Sequence, residues 1–458
     1  LQLPAPLIHS LQHIKGFNKE AFEAVHQSGE QITSIRLNPA KAPRFPLSII
    51  NFQLNKVPWS SQGIYLSERP SFTADPLFHA GAYYVQEASS MFLETALRQS
   101  VDLAQPLRVL DLCAAPGGKS TLLQSVISDE SLLVSNEVIK TRVNVLAENI
   151  TKWGAANVIV TNNDPKDFQR LENYFDVIVV DAPCSGSGLF RKDPDAINEW
   201  SEQNVQLCSQ RQQRILADIL PSLKENGVLV YSTCSYSEEE DEQIEDWLME
   251  ELKMENVQLG FETAWGVVET QSAKHNGRGY RFYPDKVKGE GFFIGVFRKM
   301  NATNEEWRTG KLKNKSVKLN AKEAEIVQPY LKNAGDFFFI KQKEEVLAIA
   351  RIFEEDLVAI QNALYIKKAG VKLGTVIRNE LIPDHELALS TIVNQNLPFA
   401  ELDREAALQY LRRQDMSINT TIKGWALMTH QQLPLGWAKV LPNRINNYYP
   451  REWRILNK

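Results

Sequence analysis

Cysteine is scarce in this 458-residue chain, which holds four: Cys113, Cys184, Cys208 and Cys234. So few thiols exclude a disulfide framework, and no CxxC or Cys/His spacing suggests zinc, so no metal is expected. Long hydrophobic runs are missing as well: none approaches the ~18 residues of a membrane span, and no apolar leader with a small-residue cleavage site is present. These absences point to a soluble, cytoplasmic protein whose cysteines are free for thiol chemistry. The chain opens at Leu1 without a methionine, as a trimmed natural start would leave it. Neither sign of charge is in large excess: 51 Lys+Arg stand against 56 Asp+Glu, a net charge of -5. The distribution is uneven, however. Residues 301–458 carry 23 basic and 18 acidic side chains, whereas residues 101–300 carry 20 and 31. A basic tail beside an acidic middle permits RNA contact without proving it.

What is present is an alternation of strand and helix. LRVLDL (Leu107 to Leu112), FDVIVV (Phe175 to Val180) and GVLVYS (Gly227 to Ser232) are short, apolar and β-branched, as parallel strands buried on both faces require. Between them lie helical stretches such as TLLQSVIS, TRVNVLAENITKWG and residues 198–223. The fold class is therefore α/β, a Rossmann-like doubly wound sheet with its switch point near the first strand. A small α+β module is expected over residues 1–80, with a helix from Ala21 to Gln27 and Pro-rich segments between Pro39 and Pro46. YYVQEASSMFLETAL (Tyr83 to Leu97) has apolar residues at helical spacing and leads to Pro106. The acidic run from Ser237 to Leu252 predicts a helix with a solvated face, capped by Ser237 and Glu240, and GEGFFIGVFRK (Gly289 to Lys299) an edge or antiparallel strand. Residues 81–300 form the central domain, the Lys/Asn-rich residues 301–322 read as a linker, and residues 323–458 form a β-rich C-terminal region. That region has one helix (Asp403 to Arg413) and Gly-bounded strands at Lys423 to Thr429 and Leu435 to Leu441.

Chemistry concentrates beyond the carboxyl ends of the strands. Cys184 in DAPCSGSG and Cys234 in YSTCSYS each follow a buried strand, which lets the two thiols meet over one site. The first strand runs into CAAPGGKS, the small-residue turn Cys113, Ala114, Ala115, Pro116, Gly117, Gly118, Lys119 and Ser120. This turn lacks the GxGxxG of a dinucleotide site, and Cys113 occupies the first glycine position of a P-loop, which removes the anion nest. Glu137 ends the next strand, where an acid accepts hydrogen bonds from ribose hydroxyls, and Asp164 is placed to reach an adenine amino group. Ribose and adenine recognition without a phosphate nest suggests S-adenosyl-L-methionine, whose sulfonium suits an acidic pocket.

In this order, DLCAAPGGK, DAPCSGSG and STCS closely resemble the RNA (cytosine-5) methyltransferases, with YYVQEASSMF and RFYPDKVKGEGFF as further matches over about residues 80–300. The tail, above all KGWALMTHQQLPLGWAKVLPNRINNYYP, resembles the PUA-type RNA-binding module of the bacterial 16S rRNA methyltransferases. The short N-terminal segment lacks the large helical domain of another 16S branch, which points to the PUA-bearing one. The resemblance implies that Cys234 adds to C6 of cytosine and that Cys184 assists product release. It also implies that Asp181 contacts the N3/N4 edge of the base and borders the cofactor. Cys113 to Lys119, Glu137 and Asp164 would hold S-adenosyl-L-methionine, with Lys119 reaching the reaction centre as well. C5 of cytosine is too weak a nucleophile unaided, so a thiolate adding at C6 is what the chemistry needs.

Other readings stay open beside these. A DNA cytosine-5 methyltransferase would use Pro183-Cys184, but its glutamate-bearing ENV motif is absent. A tRNA methyltransferase also fits a PUA-type tail, and a non-catalytic RNA-binding assembly factor would fit had a cysteine or Asp181 been lost. The expected partner is 16S rRNA, free or within the small ribosomal subunit. Cys208 reads as a small core hydrophobe, and Cys113 as a packed turn residue. Arg281 reads equally as an ion-pair partner or a phosphate or base contact, and Trp425 and Trp437 as core or as base platforms. Asp285 stands where relatives often carry histidine.

Overall fold

The computed structural model describes residues 2–41, 55–300, 316–417 and 420–456. At its centre lies a ten-stranded mixed sheet. Its strands include β1 (Arg108–Asp111), β2 (Leu132–Asn136), β3 (Val158–Thr161), β4 (Phe175–Asp181), β5 (Leu223–Thr233), β6 (Arg278–Phe282), β7 (Phe292–Lys299) and β8 (Ile366–Ala369). From the strand Val268–Gln271 the order runs β6, β7, β5, β4, β1, β2, β3, β8. The run β5, β4, β1, β2, β3 is parallel. The chain starts at β1, steps outward to β3 and returns to β4 on the other side, so the switch point lies at β1, as expected.

Alternation along the strands divides the core between the two faces. Val109, Val177 and Val179 face helices α1 (Gly118–Val126) and α2 (Lys140–Trp153), packing with Leu122, Leu146 and Ile150. Leu110, Ile178 and Val180 face α3 (Glu202–Ile219) and α4 (Glu242–Glu250), packing with Leu216, Ile219, Ile244 and Leu248. Each such side chain contributes about 1.5–3 kcal/mol when fully buried. Cys208 is buried on α3, as a core residue should be.

Upstream, the helix Lys19–Gln27 is capped by Asn18, whose side chain accepts from the Ala21 amide at 3.0 Å. An antiparallel sheet follows, ordered Asn55–Lys56, Gly63–Leu66, Thr33–Leu37, Tyr83–Val85. Tyr83 to Leu97 is therefore not one helix: Tyr83–Val85 is a strand, Ser89–Phe92 a 3-10 turn, and only Leu93–Ser100 is α-helical. The two aromatic residues are drawn into pairing with Thr33–Leu37, and this sheet runs past residue 80. Arg36 from that sheet is 1% exposed and reaches α1. It donates to Gln86 Oε1, Thr121 O and Oγ1, Ser125 Oγ and the Gly118 carbonyl, and lies 4.5 Å from the Trp153 ring. Burial lowers its pKa to about 9. The Pro-rich expectation falls mostly on residues 42–54, outside the described residues.

Three further expectations are corrected. The linker reading covers 301–315, outside the described residues, but the strand Val317–Lys318 and the helix start at Ala321 fall inside it. The acidic run is solvated only in part: Glu240, Asp241, Glu242, Glu245 and Asp246 are buried, whereas Gln243, Glu250 and Glu251 are exposed. Ser237 makes no side-chain cap, and α4 starts only after Asp241. A buried cation explains part of this, since Arg281 donates to Glu242 from Nε (2.6 Å) and Nη2 and lies 3.1 Å from Asp241. Arg281 is thus an ion-pair partner, closed off from phosphate. Finally, β8 leaves the C-terminal region and pairs antiparallel with β3. The rest of that region forms a five-stranded and a four-stranded sheet. The latter includes Gly424–His430 and Leu433–Leu441, beside the helix Arg404–Leu411 capped by Asp403. Trp437 is core, donating to the Asp384 carbonyl at 2.8 Å, whereas Trp425 is half-buried against Tyr448 and Lys439.

Candidate active site

β4 and β5 are parallel neighbours with Asp181 in register with Ser232, so the loops that follow them start side by side. The loop after β4 carries Cys184, that after β5 carries Cys234, and the two Sγ atoms lie 3.1 Å apart. Gly188 N–H donates to the Cys234 carbonyl at 2.8 Å, locking one loop against the other. A Cβ at Gly188 would meet that carbonyl at 2.7 Å, so only glycine permits the approach. Hydrogen bonding with Cys234, followed by burial, pushes the Cys184 thiol well above the ordinary range, and Cys184 keeps its proton.

Beside the thiols, Lys119 Nζ lies 2.8 Å from Asp181 Oδ2 and 5.1 Å from the Phe292 ring. Burial disfavours the lysine charge, but Asp181 outweighs it and holds the Lys119 pKa above its usual value; Lys119 is also in electrostatic reach of Cys234. Ser232 Oγ donates to Asp181 Oδ1 at 2.8 Å. Cys234, Cys184, Asp181 and Lys119 thus converge from two strand ends and one helix start.

The turn after β1 borders this cluster. Gly117 has φ +115°, a left-handed conformation that glycine adopts without strain, and Ala114 N–H donates to the Asn136 carbonyl at 2.8 Å. Asn136 ties the strand ends together, donating to the carbonyls of Leu112 and Asn163 and accepting from Thr161. Glu137 is 3% exposed, accepts from the Ile139 amide, and has Arg142 3.5 Å from its other oxygen. Asp111 is fully buried: Ser120 Oγ donates to Oδ2 at 2.6 Å, Oδ1 has no partner, and burial pushes its pKa up to about 7. Burial, then Asp111, Asp181 and Glu137, raise the Cys113 thiol beyond reach, which suits a packed turn residue. Asp164 is half-exposed, caps the turn at Pro165 by accepting from the Lys166 amide, and lies 3.9 Å from Arg214.

A small-residue turn flanked by Asp111, Glu137, Asp164 and Asp181 fits S-adenosyl-L-methionine. Acids of this kind are what ribose hydroxyls and a cationic sulfonium call for, and Oδ1 of Asp111 is a buried acceptor without a partner. Among the described residues no group of three or more His, Cys, Asp or Glu side chains could hold a metal, and no helix is long and apolar enough to cross a membrane. Sequence reasoning missed Asp111, Ser120, Asn136 and Ser232. Asp111 and Ser120 lie within the motif that was read, but their pairing needs the strand–turn–helix geometry.

Residues 99–298 match the family "16S rRNA methyltransferase RsmB/F", residues 3–88 the "N-terminal domain of 16S rRNA methyltransferase RsmF", and residues 398–455 the "Methyltransferase RsmF PUA domain". Ribosomal RNA small subunit methyltransferase F of Aliivibrio fischeri is 31% identical over 88% of this chain and 86% of its own. That of Aeromonas salmonicida is 31% identical over 92% and 90%. Among solved structures, a methyltransferase homologue from Pyrococcus horikoshii is 27% identical, with TM-score 0.52 over 65% of this chain and all of its own. NSun6 from the same organism, solved with SFG, shares the fold at 19% identity, with TM-score 0.55 over 66% of this chain and 99% of its own. With three family models in the expected order and full-length relatives above 30% identity, the chain belongs to the PUA-bearing RsmF family of 16S rRNA methyltransferases, enzymes that take their methyl group from S-adenosyl-L-methionine.

Proposed function

We propose that this protein methylates C5 of a cytosine in 16S rRNA through a covalent bond between Cys234 and C6 of the base. The observation that carries this reading is the pair of thiols 3.1 Å apart beside the Lys119–Asp181 ion pair. S-adenosyl-L-methionine supplies an electrophilic methyl group. Cys234 gives its proton to solvent and attacks C6 as the thiolate, which makes C5 nucleophilic. Asp181, oriented by Ser232 and Lys119, faces the N3/N4 edge and accepts from the N4 amino group, while the Lys119 ammonium stabilises the negative charge that develops on the ring. After methyl transfer a solvent base takes the C5 proton, the C5–H electron pair restores the C5=C6 double bond, the S–C6 bond breaks with its electrons on sulfur, and Cys184, in contact with Cys234, assists release. Cys113 to Gly118, Glu137 and Asp164 hold the cofactor.

The target cytosine must lie unstacked, in a loop or open region, for a thiol to reach C6. The enzyme works in the cytoplasm, on free rRNA or on the small subunit, and the PUA module adds RNA contact. The test is methyl transfer from labelled S-adenosyl-L-methionine to small subunits, free rRNA and bulk tRNA. Labelling of subunits or rRNA that vanishes in Cys234→Ala, with a trapped protein–RNA adduct in Cys184→Ala, supports the reading. Labelling of tRNA alone overturns the substrate, and activity that survives Cys234→Ala but not Cys184→Ala reverses the roles of the thiols.

A further inference from the structure

Glu240 is fully buried, six residues past Cys234, in a run whose spacing predicts a solvated face. Its carboxylate is surrounded by donors from both cysteine loops. Oε1 accepts from the Ser185 amide at 2.8 Å and from Gln212 Nε2 at 3.1 Å. Oε2 accepts from Ser185 Oγ at 2.5 Å and Ser235 Oγ at 2.7 Å. Ser185 directly follows Cys184, and Ser235 directly follows Cys234. Gln212 adds a second tie, since its Nε2 also donates to the carbonyl of Pro183, the residue before Cys184. The Glu240 carbonyl accepts from Tyr231 Oη at 2.7 Å, fixing the glutamate to β5.

We infer that Glu240 is a positioning residue that sets the separation and orientation of the Cys184 and Cys234 thiols by gripping the residue that follows each. The inference rests on the two-thiol reading above. The carboxylate is closed off from solvent and acts through Ser185 and Ser235. A carboxylate suits the place because it only accepts and has about four lone-pair sites for the four donors around it. Glutamine, nearly the same shape, would turn an NH2 group toward two of those donors. A small displacement of a reacting group costs on the order of 100-fold in rate, so loosening this grip should appear in turnover rather than in binding.

The test uses full-length Glu240→Gln and three readouts: kcat and KM on rRNA, affinity for S-adenosyl-L-methionine, and the rate at which diamide closes a Cys184–Cys234 disulfide. In that last step the two thiols lose two protons and two electrons to the azo bond of diamide, which becomes a hydrazine as the S–S bond forms. The expected result is a kcat about 100-fold lower, with KM and cofactor affinity within about twofold of wild type, and disulfide closure slowed about tenfold. Wild-type kcat and closure rate would overturn the inference. So would a joint loss of cofactor affinity and unfolding temperature at unchanged kcat, the mark of a merely structural role. If Glu240→Gln does not fold, the Ser185→Ala/Ser235→Ala pair replaces it: about a tenfold loss of kcat at constant KM supports the inference, and no loss overturns it. Disulfide closure needs no RNA, so it reads the grip of Glu240 even if Cys234→Ala remains active and the two-thiol reading fails.

Discussion

Asp181 and Ser232 stand opposite each other at the ends of adjacent parallel strands, and the serine hydroxyl donates to one carboxylate oxygen at 2.8 Å while Lys119 holds the other at 2.8 Å. The carboxylate is thereby fixed in direction before any base arrives, and the cost of orienting it is met in folding rather than in the transition state.

Removing either partner of Asp181 should therefore lower turnover. Lys119→Met leaves the carboxylate half-held and removes the positive charge near Cys234. A loss of about 100-fold or more in kcat is expected, measured by single-turnover methyl transfer, with a smaller loss in Ser232→Ala.

Gly188→Ala should separate the thiols without touching the cofactor turn. The added Cβ would meet the carbonyls of Cys234 and Gly291, both at 2.7 Å, and backbone cannot yield as a side chain can. Turnover should fall about 100-fold while equilibrium dialysis finds S-adenosyl-L-methionine affinity unchanged.

Arg36→Lys should behave as a severe change. Lysine cannot reproduce the fork that reaches Gln86, Thr121, Ser125 and the Gly118 carbonyl. We expect a loss of about 2–4 kcal/mol in denaturant unfolding, because buried acceptors lose their donor. Cofactor affinity should weaken as well, because Gly118 belongs to the turn proposed to hold the cofactor.

Acid should destabilise the protein through His385. Burial, reinforced by Lys152, Lys41 and His79, lowers its pKa to about 3, and neither ring nitrogen has a hydrogen-bond partner. The folded pKa lies below the ordinary 6.5, so the folded state binds fewer protons than the unfolded state between these values. Stability is full above pH 6.5 and falls as pH drops toward 3. Between pH 7 and 5 this group alone removes about 2 kcal/mol. His385→Phe keeps the ring packing against Tyr449 and Trp453 and should gain that amount on wild type over the same interval, as measured by urea unfolding.

The strands and helices of the central sheet were readable because each side chain's neighbours lie within one periodic segment: Val109 and Leu110 announce two faces by alternation alone. The cysteines and the glycine-rich turn were readable because a loop after a buried strand in a parallel sheet has one place to go. Glu240 and Arg281 were not, since an acidic run looks solvated until a cation and a set of donors from distant segments are folded onto it. Tyr83–Val85 was misread for a related reason. Its apolar spacing suits a helix locally, and only the exposed edge of Thr33–Leu37 makes it a strand. The pairing of β8 with β3 had no local signature, since the edge it covers lies in a different domain.

That pairing has a consequence for how the enzyme comes into being. β3 ends at Thr161 and β8 begins at Ile366, so about 200 residues separate them in synthesis. At ~5–20 residues per second, the nascent catalytic sheet waits roughly 10–40 seconds with the edge of β3 bare before its last strand leaves the ribosome. An open parallel edge is a template for other strands. The catalytic sheet is thus finished by the tail that follows it, and cutting the chain near residue 320 would bare the edge of β3.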